Sequence, residues 1–182
     1  MPSWSSSGAR RDRRHQRRPI VSRLDSFIRR LMAQRACLER AAELVRDLPG
    51  PVLELGLGNG RTYDHLRELM PERAIYVFER MAAAHPDSVP PTEFFIVGDV
   101  REMLPAMWDR LPERAAMAHM DLATGDTVAS QRLAAEVAPL LAPLMRPNAV
   151  IVSEPALELP GLIALPLPGG VREGRYHLYR VG

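Results

Sequence analysis

A chain of 182 residues, 46% hydrophobic and 25% charged, is long enough for one globular domain with its own core, so it needs no disulfide or metal staple. A single cysteine, Cys37, excludes an internal disulfide framework and a cysteine-rich zinc site, and it favours a reducing, cytoplasmic setting. No apolar run nears the ~18 residues of a membrane span, and the net charge of +2 conceals a division near Gly50, with +7 over residues 1–50 and −5 over residues 51–182.

All 24 basic residues are arginine. Without lysine there is no Schiff base, no P-loop phosphate ligand and no catalytic amine. Residues 1–19 read as a basic arm, with six arginines within residues 10–18. Pro19 is followed by an amphipathic pattern rather than an apolar segment, so the arm does not read as an export signal. Two readings stand for it: a grip on RNA or other phosphates, or a solvated tail that reaches an acidic neighbour in an oligomer. A domain follows over residues 20–182, divided into a helical part (20–50) and a core (51–182).

Ser22 and Asp25 form a capping box, and Leu24, Ile28, Leu31, Leu38, Ala42, Val45 and Leu48 recur at helical spacing until Pro49-Gly50. A long helix over residues 22–47 with one apolar face is expected. Short strand-like runs then alternate with helical stretches: Val52–Leu55, Ile75–Phe78, Phe94–Val97, Ala115–Met120 and Val150–Val152. Alternation implies crossovers and a parallel sheet. Leu162–Leu167 and Tyr176–Val181 are joined through Pro168-Gly169-Gly170, too short for a helix, and read as an antiparallel hairpin.

The first strand runs into Glu54-Leu55-Gly56-Leu57-Gly58-Asn59-Gly60, and a helix marked by Tyr63, Leu66, Leu69 and Met70 follows. Strand, glycine loop and helix together let backbone N–H groups face a ligand. A dinucleotide fingerprint needs its third glycine where Arg61 stands, so NAD is disfavoured.

The segment resembles motif I of the class I S-adenosylmethionine-dependent methyltransferases. The second strand ends at Glu79, the third leads into Gly98-Asp99-Val100, and the fourth leads into Asp121; each falls where that family places a landmark. The resemblance covers about residues 40–182 and implies a Rossmann-like, mostly parallel seven-stranded sheet in a three-layer α/β/α sandwich, closed by the antiparallel hairpin. It implies S-adenosyl-L-methionine as cofactor and S-adenosyl-L-homocysteine as product. The implied cofactor set is Glu54, Gly56, Leu57, Gly58, Asn59, Gly60, Glu79, Arg80, Gly98, Asp99, Val100 and Asp121. Glu54 would shape the loop and orient the amino-acid end, Glu79 would accept from the ribose hydroxyls, and Asp99 with the Val100 N–H would meet adenine.

Some of these residues also have structural readings. Glu79 can pair with Arg80 at the surface, and Asp99 can cap the following helix while binding. Asp121 is a candidate general base, a contact for the methionine portion, or a helix cap. His119 is expected to point away from Asp121 as a core or interface histidine. Asp121 and Asp126 lack a third ligand, so no metal is expected.

Methyl transfer needs alignment and, where a proton leaves, a base. An adenine-amino or glutamine signature after the fourth strand is missing, Cys37 lies in the first helix rather than at a strand end, and lysine-dependent ribose methylation is impossible. An O or N atom of a small-molecule acceptor is expected, with RNA methylation through residues 10–18 or non-catalytic cofactor binding as alternatives. Glu154-Pro155 and Glu158-Leu159-Pro160-Gly161 break any helix after the fifth strand. The sheet face that helix would cover is expected to stay apolar and to be buried in a homo-oligomer.

Overall fold

The first helix of the computed structural model, which describes residues 21–81, 84–122 and 125–182, is α1 (Arg23–Leu44). The arm of residues 1–19 lies outside the described residues. Ser22 caps α1, its hydroxyl accepting from the Asp25 N–H at 2.9 Å. The helix ends at Leu44 rather than at residue 47. Its C-terminal carbonyls are met by Arg73, whose guanidinium donates to Val45, Arg46 and Gly50 oxygens at 2.6, 3.0 and 2.8 Å. A cation at this end also complements the helix dipole.

The expected apolar face of α1 holds only in its second half. Ala33, Cys37, Leu38 and Ala41 are buried, whereas Leu24, Phe27, Ile28 and Met32 are exposed. Among the described residues, those side chains are only partly covered.

The remaining elements are β1 (Val52–Leu55), α2 (Arg61–Leu69), β2 (Ile75–Glu79), β3 (Phe95–Val97), α3 (Val100–Ala106), β4 (Ala115–Met120), α4 (Thr127–Leu141), β5 (Met145–Ser153), β6 (Leu162–Ala164) and β7 (His177–Val181). They form one seven-stranded sheet in the order β3-β2-β1-β4-β5-β7-β6. The strands β1 to β5 are parallel, while β7 runs antiparallel to both β5 and β6. β5 is longer than expected because Asn148 adopts φ 66°, and the register shifts there between the Ala115–Met145 and Met117–Val150 pairs.

Strand residues alternate between two cores. Val52, Val77, Met117 and Val150 meet α1 and α2 through Leu38, Ala41, Tyr63 and Leu66. Leu53, Phe78, Met120 and Ile151 meet α3 and α4 through Leu104, Val137 and Leu141. Apolar residues on both strand faces are what a sheet covered on both sides requires.

One expectation is corrected. The β2-to-β3 crossover has no α-helix among its described residues, only 3-10 turns at Pro86–Ser88 and Thr92–Phe94; Pro86, Pro90 and Pro91 deny that segment helical hydrogen bonds. The helix between β5 and β6 is absent as expected, yet the sheet beneath is not bare. Leu157 is buried against it, held by its N–H donating to the Tyr179 hydroxyl at 2.9 Å. Ile163 on β6 stays exposed, as do Leu24, Phe27, Ile28 and Met32 on α1.

Candidate functional site

The carboxyl ends of β1 to β5 line one edge of the sheet, where an open α/β fold leaves room for ligands. At the β1 end, Gly56 has φ +94°, and a Cβ there would sit 2.5 Å from the Asp121 carbonyl oxygen. Only glycine lets β1 pass so close to the end of β4. Gly58, at φ +50°, faces open space with nothing within 4 Å. Leu57 is buried, Asn59 is exposed, and Gly60 is the N-cap of α2.

Glu79 ends β2 and gathers this loop. One carboxylate oxygen accepts from the Leu57 and Gly58 N–H groups at 2.8 and 3.0 Å, the other from those of Arg80 and Met81 at 2.7 and 3.2 Å. Partial burial pushes its pKa upward, but the four N–H donors outweigh it and hold the carboxyl below its usual range. Asp99 caps α3, accepting from the Arg101 N–H at 2.9 Å, and its other oxygen pairs with the Arg101 guanidinium at 2.6 Å. That pairing holds Asp99 at about 2. Both acids border a cleft of about 620 Å³, together with Gly56, Gly58, Val100 and Asp121. Arg80 and Gly98 also line it.

Glu54 is fully buried and does not reach this cleft. Its carboxylate accepts from the Thr62 hydroxyl of α2 and pairs with His119 Nδ1 at 2.8 Å. Thus Glu54 ties the helix after the glycine loop to β4. His119 is a core residue, but it does not point away from Asp121. The two are two positions apart on an alternating strand, so they share a face. Both join one network on the α1 side: His119 Nε2 lies 3.4 Å from the Tyr176 hydroxyl, which accepts from Gln34 Nε2 at 2.8 Å, and Gln34 also donates to Asp121 at 2.8 Å. Burial lowers the His119 pKa, but the Glu54 charge and hydrogen bond outweigh it and raise the group overall.

Asp121 receives a further clamp. Arg30 Nη2 donates to both of its oxygens at 2.8 and 2.9 Å, while Arg30 Nε donates to Glu154 at 2.7 Å. Arg30, Gln34, Tyr176 and Glu154 were not anticipated as site residues. Gln34 carried a signal, being a polar residue among the apolar positions Ala33, Cys37 and Leu38, and Glu154 stood one residue past β5, as Asp121 does past β4. Asp126 caps α4, accepting from the Val128 and Ala129 N–H groups at 2.8 and 3.2 Å. No group of three or more His, Cys, Asp or Glu suited to a metal occurs among the described residues. No helix among them is long and apolar enough to cross a membrane.

Beside the clamp, across Glu154, a second cleft of about 570 Å³ is lined by Ser130, Gln131, Glu154, Ala156, Arg175 and His177.

A family model described as S-adenosyl-L-methionine methyltransferase matches residues 21–181. The chain belongs to this methyltransferase family. It is 48% identical to an S-adenosyl-L-methionine methyl transferase from Silicibacter pomeroyi DSS-3, whose crystal structure superposes with a TM-score of 0.85 over 88% of this chain and 99% of that one. Two more distant structures share the fold. The MycE methyltransferase of mycinamycin biosynthesis, solved with Mg and S-adenosylhomocysteine (SAH), is 18% identical, with a TM-score of 0.58 over 91% of this chain and 49% of that one. A caffeoyl-CoA O-methyltransferase-like protein from Staphylococcus aureus is 13% identical, with a TM-score of 0.55 over 90% and 86%. A comparison with curated proteins returns no match.

This methyltransferase therefore uses S-adenosyl-L-methionine (SAM), which when bound supplies an activated methyl group on a sulfonium. The first cleft suits it. Gly58 leaves unfilled space at the loop, Glu79 and Asp99 place negative charge at the ends of β2 and β3, and Phe78, Val100 and Leu133 provide apolar walls for a ring.

Proposed function

We propose that the enzyme methylates an O or N atom of a small-molecule acceptor held in the cleft beside Glu154, with the donor across Gly56–Gly60, Glu79, Arg80 and Gly98–Val100. The observation that carries this reading is the Arg30 clamp, which fixes Asp121 and Glu154 between two adjacent clefts on one sheet edge. Leu57 and Asn59 hold the loop shape, and Glu54 supports it from below.

Asp121 has both oxygens engaged by Arg30 and Gln34. As a general base it would have to release Arg30, so we assign it to positioning. His177 lines the acceptor cleft, and burial lowers its pKa. A neutral imidazole at pH 7 is ready to take the proton that an acceptor O–H or N–H gives up. Association into a homo-oligomer in the cytoplasm is part of the proposal, supported by the exposed apolar flank of α1.

Calorimetric titration with SAM, SAH and NAD tests the cofactor half. Both adenosyl compounds are expected to bind with affinity on the order of micromolar, weakened in Glu79→Ala and Asp99→Ala, with no NAD binding. Failure of both adenosyl compounds to bind overturns the reading. Sedimentation of the full chain as a monomer removes the oligomer.

A further inference from the structure

Most buried or half-buried arginines here have carboxylate or carbonyl partners: Arg30 holds Asp121 and Glu154, and Arg73 caps α1. A different set is gathered around a cleft of about 380 Å³ between α1 and the loop that enters β7. Arg29 and Arg35 come from the helix, Arg172 and Arg175 from the loop, and no acidic side chain among the described residues lines the space. Arg35 has Glu39 at 3.6 Å along the helix. Arg29, Arg172 and Arg175 make no side-chain ion pair with any described residue.

Four arginines line one cleft, Arg175 half-buried and Arg29, Arg35 and Arg172 exposed at its rim, and together they concentrate positive charge there. An entering anion offsets that charge, and planar guanidinium forks match carboxylate and phosphate oxygens in pairs. Met32, Ala33 and Val171 add an apolar wall, which suits a ligand with an uncharged body as well as a charged end. Arg175 lines both this cleft and the acceptor cleft beside Glu154, whereas no residue is shared with the cofactor cleft.

We infer that this arginine cleft holds the anionic group, phosphate or carboxylate, of the methyl acceptor. The word acceptor rests on the proposed function above; the anion site itself does not. A small anion is favoured over a nucleic-acid backbone because the cleft is confined, whereas a strand needs an extended basic groove.

The test is calorimetry of the full chain with pyrophosphate and with citrate, at low and high salt, with and without saturating SAH. The expected result is one anion site per chain, weakened by salt and unaffected by SAH. The Arg172→Gln/Arg175→Gln double variant should lose roughly tenfold or more in anion affinity while still binding SAH, which shows it is folded. Arg132→Gln, at an exposed position of α4, should change nothing. Preference for pyrophosphate or for citrate distinguishes a phosphate from a carboxylate acceptor.

Several outcomes overturn the inference: no anion binding by a protein that binds SAH, competition between SAH and the anion, or equal weakening by Arg132→Gln. Binding of a single-stranded RNA oligonucleotide, lost in the double variant while small anions are ignored, replaces the small acceptor with RNA. Loss of SAH binding in the unaltered protein counts against the cofactor reading alone, because the anion titration is judged separately.

Discussion

The two ends of the ligand-binding edge hold their carboxylates by different means. On the β1–β3 side, Glu79 is held by backbone N–H groups of two neighbouring loops, and Asp99 by the N–H and guanidinium of Arg101, two residues on. On the β4–β5 side, Asp121 and Glu154 are held by Arg30 and Gln34, side chains of a helix that lies 87 to 124 residues away in sequence. The first side is shaped once β1 and β2 pair, which brings Glu79 to the loop 21 to 22 residues before it. The second exists only once α1 docks on the sheet. Ligand binding at the first end should therefore depend on the pairing of neighbouring strands, and at the second on the seating of one helix.

The largest effect is expected where the two sides touch. Gly56→Ala places a methyl 2.5 Å from the Asp121 carbonyl at a φ of +94°; at about 3 kcal/mol it should lower SAH affinity by about 100-fold. A normal affinity would show that the sides are less tightly joined than the backbone suggests. Next, Arg30→Ala leaves Asp121 and Glu154 close together without their cation. A buried pair broken in this way costs 3–5 kcal/mol; these groups are partly exposed, so roughly 2 kcal/mol of stability should be lost, read by denaturant unfolding. Glu79→Ala should show the opposite pattern, with SAH affinity reduced roughly thirtyfold, about 2 kcal/mol, and a smaller loss of stability than Arg30→Ala. Equal losses of stability and affinity in both variants would erase the distinction.

The smallest effect is a pH dependence in which two histidines act with opposite signs. The raised pKa of His119, paired with Glu54, contributes stability that is complete below about pH 6.5 and lost as pH rises through the folded-state value. The lowered pKa of His177 does the reverse: stability is full above about pH 6.5 and declines as pH falls toward its folded-state value. Imidazole C–H shifts followed by NMR should place the two midpoints on either side of the ordinary histidine value.

The same contrast governs how much was legible in the sequence. Strands β1 and β4 matched their expected limits, because buried parallel strands read as continuous apolar runs. The glycine loop, Glu79 and Asp99 stand out in the sequence because each directly follows or ends a strand-like run. Arg30 does not, since nothing near it in sequence indicates that its partners lie on β4 and β5. The orientation of His119 was misjudged although the strand period of two already decided it. The exposed first turns of α1 could not be foreseen, because helical periodicity marks an apolar face without showing how much of it is covered.

Cys37 gives the docking of α1 a built-in clock. Its thiol is fully buried, and burial pushes its pKa up to about 11, so an alkylating reagent at neutral pH meets neither an exposed sulfur nor a thiolate. It lies seven residues after Arg30 and three after Gln34 on the same helix, so reaction requires the segment bearing the clamp to lift from the sheet. The alkylation rate therefore reports how often the β4–β5 side comes apart. An acceptor that binds across the clamp should slow that rate, which gives an assay for finding it that requires no turnover.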